Sequence, residues 1–318
     1  MSIDGIINLI KPRGGTSFKA TYLIRLWSRE QHVGHAGTLD PMATGVLPVY
    51  LGQATRTAEF ISNESKIYSA DIKLGVITDT YDATGRVTEE HDVSTVTLTQ
   101  IENTLKTFCG TIEQRPPMYS AVKQGGKRLY SLARKGIEIE RPTRTVRIIS
   151  LELLDWHSPF ICIKVECSKG TYIRALAFDI GQALGCGAHM TDLVRLKCGP
   201  FRIEDGVTLS EIEDAFRNNY WHNYIYPLDT YLLGWQAAIV DRNTQQMIEN
   251  GKSLELETSV NNDSISGLAE NNMVNNATDY CRVYTLGGQL IAIMQYKHDS
   301  KLWHPEKVFS RNKTEVRV

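Results

Sequence analysis

The sequence predicts an α+β fold: a mixed, mainly antiparallel central sheet with flanking helices, and a small β-rich unit at the C-terminal end. Three observations predict it. Alternating apolar strands and helical stripes follow one another without a regular βαβ rhythm, which disfavours a doubly wound sheet. At roughly 150 residues per domain, 318 residues amount to about two domains. Composition also changes after Arg202, since residues 204–280 carry 13 acidic and 3 basic side chains, against 20 and 25 in residues 1–203. Pro227 marks the expected boundary, with one domain over 1–229 and a second over 230–318.

The elements follow in order. Ile6 to Ile10 reads as a buried strand, ended by Lys11-Pro12-Arg13-Gly14-Gly15, which can continue neither ladder nor helix. Thr16-Ser17 offers an N-cap for a helix with apolar positions at Ala20, Leu23, Leu26 and Trp27. A loop of glycine and small residues from Gly34 to Gly45 precedes the apolar strand Val46 to Leu51, and a helix is expected near Thr55 to Ile61. Tyr68, Ala70, Ile72 and Leu74 alternate as a half-buried strand. Thr99 and Glu102 form a capping box before the stripe Leu98, Ile101, Leu105 and Phe108. Ile161, Ile163, Val165 and Cys167 alternate as a strand that passes through Gly170 into a helix buried along Ile173, Leu176, Ala177, Ile180 and Leu184. A further helix spans Leu209 to Phe216. Cys281 to Leu286 and Leu290 to Tyr296 flank Gly287-Gly288 as a hairpin. Residues 258–279 hold six Asn and little apolar content, and read as a disordered insertion.

Composition excludes several classes. With 42% hydrophobic and 22% charged residues the chain is neither disordered throughout nor collagen-like. Its apolar runs fall short of the 18 or so residues a membrane span needs, and Met-Ser-Ile-Asp-Gly has no secretory pattern, so a cytoplasmic protein without membrane association is expected. The six cysteines form no CxxC pair or zinc spacing and read as buried free thiols. The net charge of −1 conceals a basic segment: residues 115–147 carry nine Lys/Arg, including Lys123, Lys127 and Arg128, against Glu138 and Glu140. With Pro116-Pro117, Gly125-Gly126, Tyr119 and Tyr130 it reads as a flexible electropositive arm suited to nucleic acid.

Candidate chemistry is sparser. The Gly34–Pro41 loop lacks the GK[ST] ending of a P-loop and precedes a strand, which excludes a nucleotide-triphosphate cradle. It leaves Asp40, fixed by Pro41 in a glycine-flanked loop, as either a turn former or a carboxylate exposed to a ligand. His32 and His35 have no third ligand at a metal-like spacing, so no metal is expected and a surface or RNA-facing role is read for them. Arg174 falls on the first turn of a helix, as a solvated charge or as a guanidinium for a carboxylate or phosphate. Tyr68 reads as a core aromatic or as a stacking face with a proton-bearing tip.

Gly34-His35-Ala36-Gly37-Thr38-Leu39-Asp40-Pro41-Met42-Ala43-Thr44-Gly45-Val46-Leu47-Pro48 closely resembles the catalytic-aspartate motif of the TruB family of tRNA pseudouridine synthases. Lys11-Pro12, Arg115-Pro116-Pro117-Met118-Tyr119-Ser120-Ala121 and Ser168-Lys169-Gly170-Thr171-Tyr172-Ile173-Arg174 are similar to further family motifs, in the family's order, over about residues 5–200. The resemblance implies a pseudouridine synthase fold and the isomerisation of uridine 55 in the tRNA T-loop, without cofactor or metal. It implies Asp40 as the catalytic carboxylate with Arg174 as its ion-pair partner, Tyr68 stacked on a flipped uracil, and His35 beside the flipped nucleotide. Tyr172 and Leu193 would line the pocket, residues 115–145 would form a thumb on the T-arm stem-loop, and the monomeric protein would need no other partner. The C-terminal part looks like a PUA domain, with Leu302, Pro305, Lys307, Val308 and Phe309 similar to its end and the Asn-rich insertion departing from it.

Two other classes compete. A non-catalytic RNA-binding or chaperone module requires no carboxylate beside RNA, so Asp40, Tyr68 and Arg174 together argue against it. A guide-RNA-dependent subunit would be expected to lack the 115–147 arm. The redox-neutral isomerisation also fits the absence of Rossmann and P-loop signatures.

Overall fold

A computed structural model describes residues 3–61, 64–120, 122–133, 136–137, 139–258 and 279–309; the side chains at 61, 123, 124, 127 and 128 lie outside the description. The large sheet runs in the order Val207–Thr208, Gly5–Lys11, Thr44–Leu51, Ala188–Cys198, Lys66–Leu74, Phe160–Cys167, Arg144–His157, Gly110–Gln114. Its neighbours are antiparallel except where Gly5–Lys11 meets Val207–Thr208 and Thr44–Leu51 meets Ala188–Cys198. Insertion of the late strand Ala188–Cys198 beside two early ones builds the site. It sets Arg195 opposite Gly45 on one side and Tyr68 on the other.

Both faces of the sheet are covered at this end, which explains the unbroken apolar run Val46 to Leu51. Leu47 and Val49 face a core shared with helices Ser17–Ser28, Leu98–Thr107, Ile173–Ala183 and Leu209–Arg217. Val46 and Tyr50 face a second cluster with Ile6, Tyr231, Leu232, Ile293 and Phe309. That cluster joins the large sheet to a four-stranded C-terminal sheet of order Gln236–Val240, Tyr280–Thr285, Leu290–Lys297, Leu302–Val308. Lys307 Nζ also reaches Glu59 at 2.7 Å, and Trp235 stacks on Tyr280 beside Phe60. Just before Pro227, Tyr226 and Ile6 exchange backbone hydrogen bonds of 2.8 and 2.9 Å.

Four expectations need correction. Within the expected loop Gly34–Gly45, residues Val33–His35 pair antiparallel with Leu51 to Val49, because backbone pairing outweighs the weak strand preference of a glycine-centred triplet. The capping box is Thr97 with Gln100, not Thr99 with Glu102; the two windows overlap, and the upstream box starts the helix at Leu98. The expected helix near Thr55 begins as a 3-10 turn, Gly52–Thr57, and only then becomes α-helical over Ala58–Ile61. The cysteines are free, but Cys109 is exposed and Cys162 half-buried. The expected hairpin forms between Tyr280–Thr285 and Leu290–Lys297. The expected insertion 258–279 lies, apart from its end residues, outside the described residues.

Candidate active site

Asp40 sits in the loop between Val33–His35 and Thr44–Leu51, and that loop is fastened on several sides. Ser17 Oγ accepts from the Leu39 N–H at 2.9 Å and donates to the Leu39 carbonyl at 3.1 Å, tying the loop to the start of the first helix. Gly14 N–H donates to the Pro41 carbonyl at 2.8 Å, and Lys11 Nζ donates to the Pro12 and Pro41 carbonyls at 2.8 and 3.3 Å. Lys11 is fully buried, and burial pushes its ammonium down to about 8, against the opposing pull of the Asp40 charge.

Arg174 is the second residue of helix Ile173–Ala183. Tyr172 precedes it at the N-cap, where its N–H donates to Gln114 Oε1 at 2.8 Å and its carbonyl accepts from Gln114 Nε2 at 3.0 Å. The buried guanidinium meets Asp40 with both arms: Nε is 2.9 Å from Oδ2, and Nη2 donates to Oδ1 at 3.1 Å. Its remaining donors reach Asp82 Oδ2 at 3.3 Å, the Thr80 carbonyl at 3.4 Å and the Tyr119 carbonyl at 3.0 Å. Asp82 is itself held by Thr80 Oγ1 at 2.8 Å and by Thr84 through its N–H at 3.0 Å and its hydroxyl at 2.5 Å. One guanidinium thus serves two carboxylates. Burial raises the Asp40 carboxyl above its usual range and the Asp82 charge adds to this, while Arg174 and Lys11 oppose it.

Tyr68 stands between Val165 and Arg195 on the neighbouring strands. Burial pushes its phenol up to about 12, opposed by the charge and hydrogen bond of Arg195. Arg195 is itself 1% exposed; Nε donates to the Val46 carbonyl at 2.7 Å and Nη2 to the Gly37 carbonyl at 2.8 Å, clamping both ends of the Asp40 loop. The approach demands glycine at position 45, where φ is +99° and a Cβ would collide with the Arg195 carbonyl. His35 lies close by, with its imidazole lowered by burial and by the Arg195 charge, and with Nδ1 buried and unpartnered among the described residues.

These groups surround an open cavity of about 1550 Å³ that includes Asp40, Tyr68, Tyr172, Arg174 and His35 in its lining. Leu193 is not part of that lining: it is 5% exposed in the core, one step deeper than Arg195 on the same face of its strand. The arm contributes Tyr119, Ser120 and Tyr130 to the cavity wall. Lys123–Gln124 and Lys127–Arg128 form a two-stranded hairpin turning on Gly125 and Gly126, both at positive φ. The Arg144 guanidinium lies 5.6 Å from the centre of the Tyr172 ring. Sequence reasoning assigned no role to Arg195, none to Lys11 beyond its place in the Lys11-Pro12 motif, and none to Asp82 beyond that of an alternative carboxylate. The flanking hydroxyls in Thr80-Tyr81-Asp82-Ala83-Thr84 and a lone Arg in the apolar rhythm Leu193, Arg195 were the available signals. Among the described residues no group of His, Cys, Asp and Glu has the arrangement of a metal centre.

Comparison with solved structures first defines the class. A chain of a Cbf5-Nop10-Gar1 complex is 27% identical with a TM-score of 0.73, over 96% of this chain and 85% of that one. A chain of an H/ACA RNP bound to a substrate RNA containing 2'-deoxyuridine, 24% identical with a TM-score of 0.70, shares the fold. The N-terminal domain of the TruB family pseudouridylate synthases matches residues 25–173, and the C-terminal domain of tRNA pseudouridylate synthase B matches residues 174–233. The tRNA pseudouridine synthase B of Dehalococcoides mccartyi is 40% identical over 309 residues, 97% of each chain. That of Clostridium tetani is 46% identical over 249 residues, 78% of this chain and 85% of that one. The chain belongs to the TruB family of pseudouridylate synthases.

Proposed function

We propose that this chain isomerises uridine 55 in the T-loop of tRNA to pseudouridine, with Asp40 as the catalytic carboxylate. The observation that carries the reading is the Asp40–Arg174 pair, held in two-point contact in an open cavity walled by tyrosines. The relatives' shared name, tRNA pseudouridine synthase B, supports the tRNA substrate.

The reaction breaks the C1′–N1 bond, turns the uracil and joins C1′ to C5, and the proton displaced from C5 ends on N1. No electron pair leaves the system and no cofactor is required. Asp40 begins it as a nucleophile at C1′ or C6, or as the base at C2′; each route requires the ionised carboxylate. The site provides for this by setting Arg174 and Lys11 against the burial that disfavours the charge. Because the target is stacked in a folded loop, the base must be extruded, and Tyr68 offers the face that receives it, with His35 and Tyr172 at the sides. Lys123, Lys127 and Arg128 grip the T-arm through its phosphates, and residues 230–318, as a PUA-like domain, add affinity. The protein acts as a cytoplasmic monomer.

The test is an unmodified T-arm stem-loop incubated with purified protein and read by pseudouridine-specific mass spectrometry. Conversion at the uridine corresponding to position 55 is expected. An unmodified loop at saturating protein would contradict the reading.

A further inference from the structure

The helix Ser17–Ser28 has two very different faces. Ser17, Ala20, Thr21 and Ile24 are buried. On the exposed side Phe18 is 76%, Leu26 55% and Tyr22 51% exposed, and Arg25 and the C-cap residue Arg29 are also exposed. At about 100° per residue Phe18, Tyr22 and Arg25 lie within roughly 60° of arc, and Arg29 follows one turn further on, at the C-cap, where the backbone turns left-handed. The helix holds no Asp or Glu, and Lys19 adds a further cation beside the stripe.

Phe18 and Tyr22 are four residues apart, neighbours on the helix surface, so they expose one contiguous aromatic patch instead of two scattered side chains. The location gives that patch a use. Phe18 belongs to the lining of the active-site cavity together with Thr16 and Ser17, whereas Tyr22, Arg25 and Arg29 do not, so the stripe starts at the cavity and continues along the helix beyond it. Its order is also informative: two aromatic faces near the mouth, then two guanidinium groups further out. Stacking on aromatic rings and pairing of arginine with phosphate are how proteins hold single-stranded nucleic acid. A purely aliphatic ridge would suit a protein partner better than this one does.

We propose that Phe18, Tyr22, Arg25 and Arg29 form an RNA-docking ridge, on which unpaired bases next to the extruded nucleotide stack while their phosphates meet the two arginines. The inference rests on the function proposed above and extends it to the nucleotides that remain outside the cavity. Extrusion of one base removes its stacking partners from the loop, and the ridge replaces them.

The test uses the full chain in two paired variants, Phe18→Ala with Tyr22→Ala, and Arg25→Gln with Arg29→Gln, each checked by thermal melting. Affinity for the unmodified T-arm stem-loop is measured by fluorescence anisotropy across a salt series. The aromatic pair is expected to weaken binding roughly 10- to 100-fold without changing the salt slope. The arginine pair should lower the slope of log K against log salt by about 1.4, at about 0.7 per phosphate. In both, the single-turnover rate at saturating protein should fall far less than the affinity. Restored affinity in Phe18→Trp with Tyr22→Trp would support stacking. Parental RNA affinity in the folded aromatic variant would overturn the ridge, as would loss of self-association with RNA binding unchanged. A parent protein that binds through the ridge yet forms no pseudouridine would remove the proposed function and leave the ridge standing.

Discussion

The floor of the cavity and its rim both display cations beside aromatic rings, but the two regions use charge in opposite ways. On the floor, Arg174 spans two carboxylates and two carbonyls, and Arg195 clamps the carbonyls of Gly37 and Val46. Both are nearly inaccessible. On the rim, Phe18, Tyr22, Arg25 and Arg29 stand in solvent on a helix without acidic residues. A buried charge has already lost its water and is worth keeping only where its partners are fixed, so it sets geometry. An exposed charge is screened by salt and acts on a polyanion through counterion release, so it sets affinity. Floor substitutions should therefore change the rate of chemistry and rim substitutions the binding constant.

Among substitutions that leave Asp40 in place, the largest departure should come from Arg174→Lys. A lysine keeps the charge but cannot bridge Asp40, Asp82 and the Tyr119 carbonyl at once. Losing two charge-assisted contacts, ~4 kcal/mol together, predicts a single-turnover rate reduced by about a thousandfold with RNA affinity little changed. A parallel loss of affinity would break the division between floor and rim.

Lys11 gives a thermodynamic check on the floor. Its folded-state pKa of about 8 lies below the ordinary 10.5, so between these values the unfolded chain binds more protons and stability rises with pH. The burial cost is full below pH 8 and gone above pH 10.5, a gain of up to ~3 kcal/mol for the parent. Urea denaturation of the parent and Lys11→Met across pH 7 to 10.5 should show a smaller rise in the variant by that amount. Equal rises would place the Lys11 ammonium in a well-solvated environment.

The smallest effect belongs to the arm. Lys127→Glu with Arg128→Glu should weaken T-arm binding about tenfold, ~1.4 kcal/mol, and flatten its salt dependence. An unchanged slope in filter binding would show that the arm does not touch phosphate.

The sequence carried different parts of this structure with different clarity. Alternation exposed the strand of Tyr68 and the strand before Gly170, and the helical stripe from Ile173 set Arg174 on a first turn. Asp40 and Arg174 were legible because each lies in a motif, although 134 residues separate them. Asp82 and Arg195 were not, because their significance arises only when the strand Ala188–Cys198 slots between two earlier strands and the turn at Thr80 reaches Arg174. No local pattern encodes such a crossover. The Thr97 cap was missed for a local reason, since two equivalent capping boxes overlap there.

The central claim is that Asp40 performs chemistry and does not merely hold RNA. One preparation of Asp40→Asn, shown to be folded by thermal melting, should be measured both for T-arm stem-loop affinity and for single-turnover pseudouridine formation at saturating protein. The variant keeps the volume of Asp40 and loses its charge, so affinity should stay within about tenfold of the parent while the rate falls by several orders of magnitude. Near-parental turnover by the folded variant would contradict the assignment and move the search for the catalytic group to Tyr68 or Asp82.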